Sequence, residues 1–280
     1  MKSLFKIHIL RFVGKWFSEL YFLQIALFSI SFFLLSCSGK SYDINKGKTV
    51  FRYNESKGIA SLDPAYSSNQ SVIWPVNQVF NGLVQLDQKL NVIPCIAHSW
   101  EITDSGKCYR FFLRSDVYFH DHPQFTDGKG RKVVASDFVY SLARITDPSV
   151  ASPGSWIFTN IDKNRTKDDS GLMAINDTIL EIYLKEPFPA FLSILSMKYC
   201  SVVPPEIVEY YGKDFRRNPV GTGPFYFKMW IEDEKLVLRK NEKYFEVDND
   251  GNRLPFLDAI AITFIKDKQL DKALEQLDNA

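Results

Sequence analysis

The first 37 residues limit what the remainder can build more than any other stretch. "MKSLFKIHILRFVGKWFSEL" carries Lys2, Lys6, Arg11 and Lys15 against the single acid Glu19. "YFLQIALFSISFFLLSCSGK" comes next, and it is apolar from Leu20 to Leu35 apart from Tyr21, Gln24, Ser29 and Ser31. A basic segment, a short apolar run and small residues describe a secretory signal, residues 1–36, that is removed from the mature protein. The run falls short of the ~20 apolar residues that span a bilayer comfortably. The competing reading is an uncleaved amino-terminal anchor helix. With the signal removed, any fold has to be built outside the cytoplasm from the residues beyond it.

Leu34-Leu35-Ser36-Cys37 resembles the lipobox of bacterial lipoproteins. The resemblance implies lipid attachment at Cys37, cleavage before it, and anchoring by several acyl chains, which hold where one chain binds only marginally. Ser38 stands where an aspartate is associated with retention in the inner membrane, so the outer membrane is favoured where there is one. Loss of residues 1–36 takes four basic and one acidic side chain from totals of 34 and 33, leaving 30 and 32 and a formal charge of −2. A balance this even lacks the concentrated positive field of a nucleic-acid-binding protein. Cys95, Cys108 and Cys200 then remain, at spacings unlike a CxxC metal or redox site, and are expected as buried free thiols.

Residues 38–48, "SGKSYDINKGK", read as a polar tether. "TVFRY" (49–53) alternates as a strand, and "SVIWPVNQVFNGLV" places Ile73, Val76, Val79, Phe80 and Leu83 near helical spacing. "SWEIT", "DSGK" and "CYRFFLR" predict a hairpin with Trp100, Ile102, Tyr109, Phe111 and Leu113 available to one face. Residues 134–146 predict a helix with Phe138, Leu142 and Ile145 as its stripe and Ser136 and Asp137 in its first turn. A strand closed by prolines, a short apolar helix "AFLSILS", a helix ending at Gly212, a second hairpin turning at "EDE" and a buried strand "LDAIAITFIKD" complete a mixed α/β (α+β) order.

Eight stretches in this order resemble the extracellular solute-binding proteins of peptide ABC transporters, the oligopeptide- and dipeptide-binding family 5. They are "SLDP" (61–64), "VFNGLV" (79–84), "PCIAHSWEITDSGKCYRFFLR" (94–114), "VYFHD" (117–121), "ASDFVYSLARITDP" (135–148), "LKEPFPAFLSILS" (184–196), "NPVGTGPF" (218–225) and "LVLRKNEKYF" (236–245). The resemblance implies a periplasmic-binding-protein-like, type II clamp of two lobes that closes on a ligand by hinge bending. Carried onto this chain, a discontinuous first lobe takes 49–80 and 204–270, and an inserted subdomain takes 81–203. Residues 271–280 begin a hinge helix toward a second lobe that is expected to be absent.

His120, Asp121 and His122 ("HDH") suggest the start of a metal site. In the resembled family the corresponding turn ties a loop together and binds no metal, and "HPQFTDGKGR" reads as an insertion extending it. Adjacent side chains do not converge easily on one ion, and His98 is expected to be a packing residue. No metal, cofactor or catalytic residue is expected. The resemblance places ligand contact at Ser67, Ser68, Asn69 and Gln70. At Gly154, where some members carry a ligand-approaching tyrosine, this sequence departs and offers Trp156 two residues on. A peptide or other small solute, the permease subunits and the membrane through lipid are the implied partners of a monomer. Two other readings stand beside this one: a metal-dependent surface hydrolase using the "HDH" triplet, and a non-binding remnant or interaction module.

Overall fold

Strand β1 (Val50–Asn54) finds its neighbour at the far end of the chain, where β10 (Ala259–Thr263) runs parallel to it from the pair Val50–Ala259 to Asn54–Thr263. The computed structural model describes residues 47–167, 170–266 and 268. The expected signal 1–36, the expected lipid site Cys37, the tether up to residue 46 and the hinge segment 271–280 lie outside the described residues.

Strands β8 (Phe225–Ile231) and β9 (Lys235–Lys240) form the second hairpin expected from sequence, and β9 pairs antiparallel with β10, giving the order β1-β10-β9-β8. One face of this sheet is apolar because Leu236 and Leu238 stand opposite Ile262 and Ile260, all four buried. A second four-stranded antiparallel sheet, in the order β4-β5-β7-β6, comprises β4 (Ala97–Thr103), β5 (Cys108–Leu113), β6 (Leu172–Asn176) and β7 (Ile179–Tyr183). Its first hairpin turns through Asp104, Ser105 and Gly106, all at positive φ. A short ribbon of β2 (Val84–Leu86) and β3 (Val92–Pro94) links the two sheets in sequence.

Two helices flank the candidate segments. Helix α1 (Gln70–Val79) packs on β8, and α2 (Ala135–Thr146) packs on β6 and β7 with Phe138, Leu142 and Ile145 buried as expected. Helices α3 (Phe191–Leu195) and α4 (Pro205–Tyr211) are the two short ones. Burying each of the fully covered phenylalanines, among them Phe80, Phe111, Phe138, Phe191 and Phe215, stabilises the fold by about 2–3 kcal/mol. The described residues from 48 onward form one compact unit, and among them no helix is long and apolar enough to cross a membrane.

Three side chains depart from expectation. Helix α1 buries Val72, Pro75, Val76 and Val79, while Ile73 turns outward. Trp74 lies beside it, its ring meeting Phe51 and Tyr53 of the edge strand β1. Ile102 is exposed on β4. His98 is not a packing residue: it falls where the β4–β5 register shifts between Ala97 and Ser99, and it is exposed. Its Nδ1 lies 3.0 Å from the Ser99 hydroxyl, and its ring stands beside that of Phe112.

Candidate functional site

"SLDP" forms a tight turn because Asp63 accepts a hydrogen bond from the Ala65 N–H (3.0 Å) and Pro64 presets the first position of the 3-10 turn Pro64–Tyr66. The same carboxylate is gripped by Arg144, near the end of α2. Arg144 Nη1 donates to Oδ1 (2.9 Å) and Nη2 to Oδ2 (2.6 Å), and both side chains are largely buried. This two-point fork is the strongest ion-pair geometry available to a guanidinium. Burial opposes the Arg144 charge, but the Asp63 hydrogen bonds win and hold its pKa above the usual arginine value.

The turn is fastened twice more to the segment after α2. The Tyr66 O–H donates to Val150 O (2.6 Å), and Ser152 Oγ donates to Ala65 O (2.5 Å). Ser152 Oγ also accepts from the Gly154 N–H (3.1 Å). A Cβ on Gly154 would lie 2.6 Å from the Tyr199 ring, so only glycine lets these pieces close. The structure therefore brings the stretch carrying Ser67–Gln70 beside the stretch carrying Gly154 and Trp156, across 81 residues of sequence. Ser67 is buried, and its hydroxyl has no partner among the described residues. Ser68, Asn69 and Gln70 are exposed. Asn69 caps α1, its Oδ1 accepting from Val72 N–H (3.2 Å) and Ser71 Oγ (2.7 Å). An open cleft of about 440 Å³ lies between Asn69–Ser71 and the loop containing Glu55, Lys57 and Gly58. The Trp156 side chain is 50% exposed, which leaves half of it free for contact.

The three residues of the "HDH" triplet each serve a separate set of partners. His120 is buried, with Nε2 at 2.9 Å from Gly223 O and Nδ1 accepting from Gly221 N–H at 3.4 Å, so a neutral ring protonated on Nε2 satisfies both contacts. Burial pushes its pKa down to about 4, against the smaller opposing effects of the Gly223 bond and Asp121. Asp121 accepts from Gly130 N–H (2.9 Å), Lys243 Nζ (3.0 Å) and Lys129 Nζ (3.2 Å). Burial works against the Asp121 charge, but these donors win and hold its pKa at about 2. His122 Nε2 meets Tyr211 O–H at 3.1 Å. "GTG" packs against the end of α1, where a Cβ on Gly221 would sit 2.1 Å from Val79 O and one on Gly223 2.5 Å from Gln78 O. Among the described residues no group of three or more His, Cys, Asp or Glu could hold a metal ion.

A second network joins residues 81 and 85 to the stretch 222–246. Thr222 Oγ1 donates to Asn81 Oδ1 (3.0 Å), and Asn81 Nδ2 donates to Tyr244 Oη (3.2 Å). Tyr244 O–H donates to Glu246 Oε2 (3.0 Å), and the other oxygen of Glu246 holds Gln85 (2.7 Å). Cys95, Cys108 and Cys200 are buried free thiols, and burial raises the first and last to about 12. The Asp63–Arg144 fork and the Gly154–Tyr199 contact escaped the sequence reading. Two signals for them were present: an acid in a Pro-containing turn, and a basic residue in the last turn of a helix.

Residues 91–278 match the family described as bacterial extracellular solute-binding proteins, family 5 Middle. Over 206 residues the chain is 33% identical to the probable deoxycholate-binding periplasmic protein YgiS of Escherichia coli, which covers 70% of this chain and 37% of that protein. Over 210 residues it is 32% identical to the periplasmic oligopeptide-binding protein OppA of Salmonella typhimurium, covering 71% and 37%. The solved structure of Listeria monocytogenes OppA bound to peptide is similar with a TM-score of 0.69 at 26% identity, over 84% of this chain and 46% of that one. The chain thus spans less than half the length of each of these proteins.

Proposed function

The chain belongs to the bacterial extracellular solute-binding proteins of family 5, and from that membership we propose that it captures short peptides outside the cytoplasm and passes them to the permease of an ABC importer. The family is one of binding proteins and not of enzymes. In this reading Ser67–Gln70 and Trp156 form part of the solute contact surface. Residues 49–80 with 204–270 make the first lobe, and 81–203 are an inserted subdomain. The two sheets support that division, since one draws on 50–54 and 225–263 and the other on 97–183. Cleavage after residue 36 and lipidation of Cys37 anchor the protein to the envelope, as a monomer.

The observation that carries the peptide reading is the 32% identity to the Salmonella oligopeptide-binding protein across 71% of this chain. The exposed polar residues Ser68–Gln70 and the exposed aromatic Trp156 suit a ligand whose main chain is held and whose side chains vary. A second reading is an amphipathic apolar solute. It is favoured by the 33% identity to the probable deoxycholate-binding protein and by the exposed Trp156. Calorimetric titration of the purified protein with trialanine, tetra-alanine and deoxycholate separates the two. Saturable heat with the peptides alone is expected, heat with deoxycholate alone selects the second reading, and silence with all three overturns both.

A further inference from the structure

We infer that Asp63 and Arg144 are positioning residues for the proposed solute site, acting through the turns beside them to present Ser67–Gln70 and Trp156 as one unit. This role presupposes that peptides are captured at that surface. Arg144 holds both oxygens of Asp63, and Asp63 fixes the turn that leads directly into Ser67. Tyr66 and Ser152 then close the gap from either side, each side chain bonded to a backbone carbonyl of the opposite segment. Through the Gly154 N–H on Ser152 Oγ, the tie reaches to within two residues of Trp156.

Two physical facts favour positioning over simple stabilisation. A buried ion pair is a weak source of stability, because desolvating both charges offsets much of their attraction. A planar fork bonded at two points, by contrast, fixes both distance and angle, which a single-point lysine contact would not. The pair also joins no strands. Its acid lies in a turn and its base in the last turn of a helix, and what it aligns is the pair of segments just beyond them.

The decisive variant combines Asp63→Asn with Arg144→Met, which removes both charges yet leaves an acceptor for the Ala65 N–H. We expect its urea midpoint to stay near that of the parent, with trialanine affinity falling tenfold or more. Amide hydrogen exchange should quicken in 64–70 and 150–156 together and stay unchanged in β4–β7. Should that variant fail to fold, Tyr66→Phe removes a single hydrogen bond and is expected to weaken trialanine binding roughly fivefold, with the same paired rise in exchange. Unchanged affinity in a folded variant, or faster exchange in only one of the two segments, overturns the inference. If the parent binds no trialanine, the peptide reading falls by itself. The exchange measurement needs no ligand and still decides: a joint rise supports the coupling and a single rise refutes it.

Discussion

His120 touches two glycines with its two ring nitrogens, and that arrangement has a cost at low pH. The folded ring titrates at about 4, below the 6.5 of a free imidazole. Between those values the unfolded chain binds a proton that the folded chain refuses, so stability is complete above about pH 6.5 and declines as pH falls toward 4. The shift corresponds to a loss on the order of 3 kcal/mol. Urea unfolding at pH 7 and pH 4.5, in the parent and in His120→Gln, checks this. The parent should lose that much more stability than the variant, whose amide cannot titrate, and equal losses would refute it. That His120 ties a loop could be anticipated from the turn it resembles. That it does so against Gly221 and Gly223, about a hundred residues on, could not, because glycines advertise close approach without naming what approaches.

Helix α1 shows what patterning can and cannot decide at the scale of an element. Its existence was legible from apolar spacing, yet the buried column is Val72, Val76 and Val79. Two adjacent apolar columns were available; the helix packs on β8 with Val72, Val76 and Val79 buried, while Ile73 and Trp74 stay exposed and Trp74 meets the Phe51 and Tyr53 rings of β1. Helix α2 offered a single column, so Phe138, Leu142 and Ile145 could be assigned correctly. The start of α1 depends on Asn69, which supplies the acceptor for Val72 N–H. Asn69→Ala is expected to cost about 1 kcal/mol, and Asn69→Asp to restore most of it. Thermal unfolding of the three proteins tests this, and an unchanged midpoint in the alanine variant would show that the cap is dispensable.

Across the whole molecule, side chains far apart in sequence hold the pieces together. Asn81, Thr222, Tyr244, Glu246 and Gln85 form one chain of hydrogen bonds between residues 81–85 and residues 222–246. Burial and Glu246 both raise the Tyr244 pKa, keeping its proton in place as a donor. Tyr244→Phe strands Asn81 and Glu246 and is expected to cost about 1–3 kcal/mol. Combining it with Asn81→Ala should cost less than the two separate losses together. Strict additivity in urea unfolding would deny that they act as a network. Most of the order of strands and helices could be read in advance, although β2, β3 and β6 could not, and neither could these crossings, since periodicity reports one element's faces and says nothing of a partner 141 residues away. The pairing of β1 with β10 is the extreme case, its ends 209 residues apart. A ribosome working at about 5–20 residues per second would need roughly 10–40 seconds to make that interval. Throughout that time the nascent amino-terminal strand, with Phe51 and Tyr53 bare, is a client for any holdase within reach.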